Sequence, residues 1–184
     1  MEETKIDKYG DKTRIFKIMK EAVPYLIIIV VVILVRTFIM TPVKVNGASM
    51  SPTLKEGEIL ILNKYKHKYK RFDIVVINHD GTKIIKRIIG MPGESVEYKD
   101  CIIYINGQKI EDVVNKKECR EPDFILETQY NYIIIPEGYY FVMGDNRENS
   151  SDSRDNRIGL IKKSQIEGTA TIRIFPFNKI GGVK

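Results

Sequence analysis

Hydrophobic positions along this chain follow two unlike patterns. From Val23 to Val35 the residues "VPYLIIIVVVILV" make one uncharged run, whereas after Thr41 the apolar residues alternate or come in short groups separated by turns. The groups "EILILN", "FDIVVIN", "TKIIKRIIG", "ESVEY", "CIIYING", "YNYIIIP", "GYYFVMG" and "TATIRIF" have the length and period of strands, and no long helical period interrupts them. "NHDGT" and "YINGQ" hold the Asp-Gly and Asn-Gly pairs of tight hairpins, and "MPGE" is a further chain reversal. The pattern predicts a mostly β, antiparallel domain over 41–184. Only the charged stretch "NKKECREPDFILETQ" breaks the rhythm, which marks 111–130 as an inserted loop or small subdomain.

The early run is apolar on every face, unlike a helix laid on a soluble core. Its thirteen residues rise only about 20 Å, short of the roughly 30 Å of a bilayer's hydrocarbon, but extension through "RTFIM" to Met40 gives about 27 Å, with Arg36 able to reach the headgroups. "RTFIMTP" lacks the small residues of a cleavage site, so the segment reads as a retained anchor rather than a removable leader. Lys5, Lys8, Lys12, Arg14, Lys17 and Lys20 precede it. The positive-inside rule then predicts a cytoplasmic 1–21, one transmembrane helix over 22–40 and an extracytoplasmic 41–184, in a single-pass protein of the cell membrane.

With 184 residues the chain has room for one such domain and little more. Its net charge of +6 becomes informative only by position. The basic run "KYKHKYKR", 64–71, lacks a recognition helix or an RNA-binding signature and reads as a solvated turn or a headgroup contact, so no nucleic-acid partner is expected. Cys101 and Cys119 show neither a metal knuckle nor a C-x-x-C spacing and read as two plain thiols rather than a disulfide. No metal or cofactor motif is present, and His67 and His79, the only histidines, both look like loop residues. With no G-x-S-x-G elbow either, a Ser/His/Asp triad is disfavoured.

A lysine can replace the histidine if it is held neutral. In a strand "TKIIKRIIG", Lys86 shares a face with Ile84 and Ile88, while Arg87 shares the other with Ile85 and Ile89. An exposed lysine of pKa about 10.4 is only about 0.04% neutral at pH 7, and burial among isoleucines raises that fraction. From periodicity alone Lys86 either serves as such a base or merely snorkels to solvent. The polar loop "GDNRENSSDSR", 144–154, adds Ser150 to orient an amine, the office an aspartate has for histidine elsewhere, and Asp152 with Arg154 to lock the loop by an ion pair.

Taken in order behind an anchor, three stretches resemble the motifs of the bacterial type I signal peptidases, Ser/Lys proteases that remove signal peptides from exported preproteins. "GASMSPTL" is similar to that family's nucleophile box, "KRIIGMPGE" to its lysine box, and "MGDNRENSSDSR" to its following loop, with "RFDIVVI" as the strand between. The resemblance implies an antiparallel β catalytic domain, Ser49 as nucleophile and Lys86 as general base. It further implies that Ser150 bonds the Lys86 amine, that Asp152 pairs with Arg154, and that Asp145 and Arg87 support the same site. Val43, Val45, Met50, Leu54 and Ile85 would line shallow pockets for the small residues at the last and third-last positions of the signal peptide. The implied partners are secretory preproteins and the lipid bilayer, with no cofactor.

One position departs from some members of the family. Where these carry a serine two residues before the nucleophile, assisting the oxyanion, this chain has Gly47, as single-anchor Gram-positive-type members do. A self-cleaving repressor would bring a DNA-binding domain in place of the apolar run. A catalytically idle membrane-tethered preprotein-binding or assembly protein would have no use for Ser49, Lys86, Ser150 and Asp152 together.

Overall fold

The computed structural model describes residues 7–38, 40–65, 68–114 and 122–183. The chain divides into two compact units, Met1–Met40 and Thr41–Lys184. The first holds helix α1, Asp7–Phe38, which contains Pro24. Every described side chain from Arg14 to Leu34 is exposed, including all the apolar ones. Among the described residues no helix is long and apolar enough to cross a membrane. Ile39, within the expected span 22–40, lies outside the described residues.

The second unit is built of antiparallel strands, as the alternation predicts. Strands β1 (Met40–Lys44), β2 (Ile59–Asn63), β3 (Ile74–His79) and β4 (Thr82–Gly90) are followed by β5 (Val96–Lys99), β6 (Ile102–Ile105), β7 (Gln108–Ile110) and β8 (Phe124–Ile125). A one-turn helix α2 (Leu126–Tyr130), β9 (Tyr139–Met143), β10 (Ile161–Lys162), β11 (Ile166–Phe175) and β12 (Gly181–Gly182) complete it. The larger sheet runs β1-β2-β11-β3-β4-β9-β10, with β12 on β11, and the smaller runs β7-β6-β5-β8. Both predicted hairpins form. Asp80 and Gly81 (φ +48° and +81°) turn β3 into β4, and Asn106 and Gly107 (φ +51° and +73°) turn β6 into β7. Both residues of each pair take the left-handed values a two-residue turn requires.

The smaller sheet is one feature that strand counting alone does not separate from the larger. Its buried Val96, Tyr98, Ile103, Ile105 and Phe124 share a cluster with Ile89, Phe141 and Met143 of the larger sheet, so the two sheets meet over one core. Of the stretch 111–130, residues 115–121 lie outside the described residues; its far end contributes β8, paired with β5, and α2. Cys101 is disulfide-bonded, against the expectation of two plain thiols. Cys119, the other cysteine of the sequence, lies outside the described residues. Residue spacing carries no information on such a bond, because what decides it is the approach of two Cα atoms and the redox state of the compartment.

Two features of the larger sheet shape the site. Strand β4 pairs with β3 along its length, from Thr82 to Arg87, but β9 joins its other side only from Arg87 onward. Thr82 to Lys86 therefore have one unpaired edge among the described residues. Strand β1 ends the sheet, yet Thr41, Pro42, Val43, Lys44 and Asn46 line one groove together with Lys83 and Ile85 of β4. The sheet must curl to bring strands so far apart in its order to a common groove, and that groove lies between two strand edges.

Candidate active site

Lys86 stands where the β4–β9 ladder stops. Arg87 is opposite Met143, so the next position on each strand sets Lys86 beside Gly144, the first residue of the polar loop. The side chain is 3% exposed, and its Nζ donates to Ser150 Oγ at 3.1 Å. Burial holds the amine below the usual lysine value; the carboxylates of Asp152 and Asp145 pull in the opposite direction, and Arg154 adds to the lowering. Of the two options that periodicity leaves for Lys86, snorkelling to solvent is therefore excluded by its burial.

The next residue, Arg87, is pinned by the same loop. Its Nε and Nη2 donate to the two oxygens of Asp145 at 2.8 and 2.6 Å, and its Nη1 to the Phe72 carbonyl at 2.9 Å, all but sealed from solvent. A planar two-pronged pair of this kind fixes direction as well as distance. Because Arg87 and Lys86 are consecutive in one strand, an anchored Arg87 fixes the backbone from which Lys86 projects.

Asp152, also fully buried, accepts the Gly144 N–H at 2.9 Å and receives Arg154 Nε and Nη2, each at 2.9 Å. The loop is thereby closed on its own first residue. Ser153 reinforces it: Ser153 N–H donates to the Val142 carbonyl and the Val142 N–H to Ser153 Oγ, both at 3.0 Å.

Ser49 is half-buried in the turn after β1. Its carbonyl accepts the Asn146 N–H at 2.9 Å, and the Asn146 side-chain amide donates to the Ala48 carbonyl at 3.2 Å. Asn146 thus fastens the serine segment to the polar loop, a role that sequence reading misses because both acceptors are main-chain groups nearly a hundred residues away. Its place in "GDNR" is the only signal of it. At Gly144 a Cβ would overlap both the Ser49 carbonyl and Ser150 Oγ, so the two serine segments approach each other across a residue without a side chain. Among the hydrogen bonds of the described residues Lys86 Nζ donates to Ser150 and not to Ser49.

Gly47 has φ +81° and nothing within 4 Å of where a Cβ would be. The backbone there, rather than a neighbour, is what favours glycine. Val43, Val45, Met50, Leu54 and Ile85 fall in one buried cluster with Leu60, Leu62 and Val76. Val43 and Ile85, 9% and 8% exposed, reach the groove wall, while Val45, Met50 and Leu54 lie deeper and support it.

The arrangement contains a hydroxyl in the turn after β1, a dehydrated amine and a hydroxyl partner for that amine. Comparison with known proteins points the same way. The family model described as signal peptidase, peptidase S26, matches residues 18–175. Signal peptidase I T of Bacillus subtilis (strain 168) is 45% identical over 166 residues, 86% of each chain, and signal peptidase I of Bacillus amyloliquefaciens is 42% identical over 165 residues, 86% of this chain and 89% of that one. The crystal structure of a signal peptidase I from Enterococcus faecalis V583, 41% identical, superposes with a TM-score of 0.50 over 56% of this chain and 97% of that chain. With the family model spanning most of its length and relatives of this identity along it, the chain belongs to the signal peptidase family, peptidase S26.

Proposed function

We propose that the protein is a membrane-anchored serine endopeptidase that removes signal peptides from exported preproteins, with Ser49 as nucleophile and Lys86 as general base. The observation that carries this reading is the buried Lys86 amine, held by Ser150 next to the Ser49 segment. A binding protein gains nothing from burying an amine at the expense of stability; a base near neutral pH requires it.

In the first half-reaction, neutral Lys86 takes the Ser49 hydroxyl proton as Oγ attacks the scissile carbonyl. The oxyanion forms against the Ser49 N–H, and collapse of the tetrahedral intermediate breaks the C–N bond, Lys86 returning its proton to the leaving amine. This releases the mature chain and leaves the signal peptide as an ester on Ser49. Lys86 then deprotonates a water, which attacks the ester and frees the Ser49 hydroxyl. Ser150, accepting from the amine throughout, fixes its direction, while the Arg87–Asp145 and Asp152–Arg154 pairs hold strand and loop in register.

The substrate lies extended in the groove between β1 and the open edge of β4, where main-chain pairing supplies affinity. Side chains of an extended peptide alternate, so the last and third-last residues face Val43 and Ile85 together, and only small ones fit so shallow a wall. The anchor is α1: one continuous helix, exposed over all its described apolar side chains, with a basic segment ahead of it. Residues 1–21 would then be cytoplasmic, 22–40 in the bilayer and 41–184 extracytoplasmic. Sharing a membrane with its substrate confines their encounter and raises the effective concentration.

The test is cleavage of a preprotein by the full-length protein in vesicles. Ser49→Ala and Lys86→Met are expected to bind the preprotein and yield no mature N-terminus; processing at the wild-type rate by either removes the assignment.

A further inference from the structure

We infer that Asp112, which follows β7 of the smaller sheet, is a positioning residue for the Ser150–Lys86 contact and acts through Arg147. The inference rests on the dyad proposed above. Its starting point is a guanidinium that the mechanism does not use. The Arg147 side chain is fully buried, and both prongs of the Asp112 carboxylate meet it, Nη2 to Oδ1 and Nη1 to Oδ2, each at 2.9 Å. Asp112 is itself held in place by the Val114 N–H, which donates to Oδ1 at 3.2 Å. Arg147 Nε has no hydrogen-bond partner; beyond Asp112 the guanidinium reaches the Met143 sulfur from Nη1 at 3.8 Å and the side chain of the buried Tyr98 on β5. Among the described residues Asp112 is the sole carboxylate paired with this buried cation.

Where Arg147 points decides where Ser150 stands. Arg147 opens a single 3-10 turn, Arg147–Asn149, whose C-cap is Ser150 in extended conformation (φ −134°, ψ 119°). Its carbonyl accepts Arg154 Nη2 at 2.7 Å, and the Arg154 fork grips Asp152. The polar loop is therefore a ring, Asp152 to Arg154 to the Arg147 carbonyl and through the turn to Ser150. The smaller sheet touches that ring again where the Arg154 guanidinium sits 5.5 Å from the centre of the buried Tyr98 ring on β5. A turn of three residues has too few internal bonds to hold its own direction. With the carboxylate removed, a buried guanidinium is left uncompensated and swings toward water, taking the turn with it. Ser150 Oγ then leaves Lys86, whose lone pair loses its direction, while the substrate groove, walled by β1 and β4, is untouched.

The effect should thus fall on kcat and not on KM. In the full-length protein in detergent micelles, with a peptide spanning a signal-peptide cleavage site as substrate, Asp112→Asn is expected to lower kcat about tenfold with KM within about twofold. Asp112→Glu, which keeps the charge, should recover most of the loss. The decisive comparison is the double variant: in a Ser150→Ala background Asp112→Asn should cost nothing further, since the group it serves is already gone. An equal loss in both backgrounds, or a rise in KM at constant kcat, overturns the inference and reduces Asp112 to a support of the fold. If Asp112→Asn lacks a cooperative melt, Arg147→Lys carries the same comparison. Activity of Lys86→Met would sink the dyad, an outcome distinct from additivity of Asp112 and Ser150.

Discussion

Gly144→Ala is the smallest change that tests the active-site geometry. The added methyl would lie 2.5 Å from the Ser49 carbonyl oxygen and closer still to Ser150 Oγ. Ordinary carbon–oxygen contact begins near 3.4 Å, so the Ser49 main chain must retreat by about 0.9 Å or the Ser150 hydroxyl must turn away, and displacements of this order cost roughly a hundredfold in rate. Backbone strain does not enter, because Gly144 is not among the residues with positive φ. Stability should fall by the overpacking penalty of about 1 to 3 kcal/mol, a Tm loss on the order of 5 °C. The assay is kcat/KM on a cleavage-site peptide alongside thermal unfolding, with Gly181→Ala as control, where a Cβ meets open space. The expected result is a still cooperative melt lowered by about 5 °C, with activity down about a hundredfold. Wild-type activity in folded Gly144→Ala would show that Ser49 and Ser150 need not approach across this residue, and the site as described would fail.

Other outcomes follow from the same contacts. The rising limb of kcat/KM against pH should lie below the ordinary lysine range, and Arg154→Gln should move it upward, since it removes a neighbouring positive charge and leaves Asp152 unpaired; an unmoved limb excludes Lys86 as the titrating base. Because the folded pKa of Lys86 lies below the unfolded one, the unfolded chain binds the extra proton between the two values and stability rises with pH across that window. Lys86→Met, free of that penalty, should melt above wild type at neutral pH by a margin that shrinks as pH approaches 10.5, and a constant margin contradicts the linkage. Asp145→Ala strands a buried guanidinium and should cost about 3 to 5 kcal/mol, read by chemical denaturation. A non-reducing peptide map should join Cys101 to Cys119, and reduction should lower stability by about 3 kcal/mol; two separate thiol peptides would refute the link.

What the sequence reveals and conceals divides along a physical line. The hairpins at Asp80-Gly81 and Asn106-Gly107 are legible because only a few residue types take their backbone angles, and the strand that carries Lys86 is legible because isoleucines recur along it, although that period leaves open whether the lysine is buried or snorkels. Local rules suffice for both. The work of Asn146 is not legible, since its partners are carbonyls, which every residue carries, at Ala48 and Ser49. Nor is the pairing of Arg147 with Asp112, which depends on how two sheets with the same alternation pack together. The Cys101 bond is hidden for a similar reason, as it is a matter of three-dimensional approach.

The half-open edge of β4 acts as a ruler. A peptide can add itself beside Thr82 to Lys86 only until β9 takes up the strand at Arg87, so the stop is set by chain connectivity and lies at Lys86, the proposed base. A slip of one residue would turn every side chain of the peptide to the opposite face, and a slip of two would demand another pair of small residues at the same spacing. On the binding mode proposed above, the choice of the bond to break would come mostly from counting along a backbone rather than from the depth of the pockets.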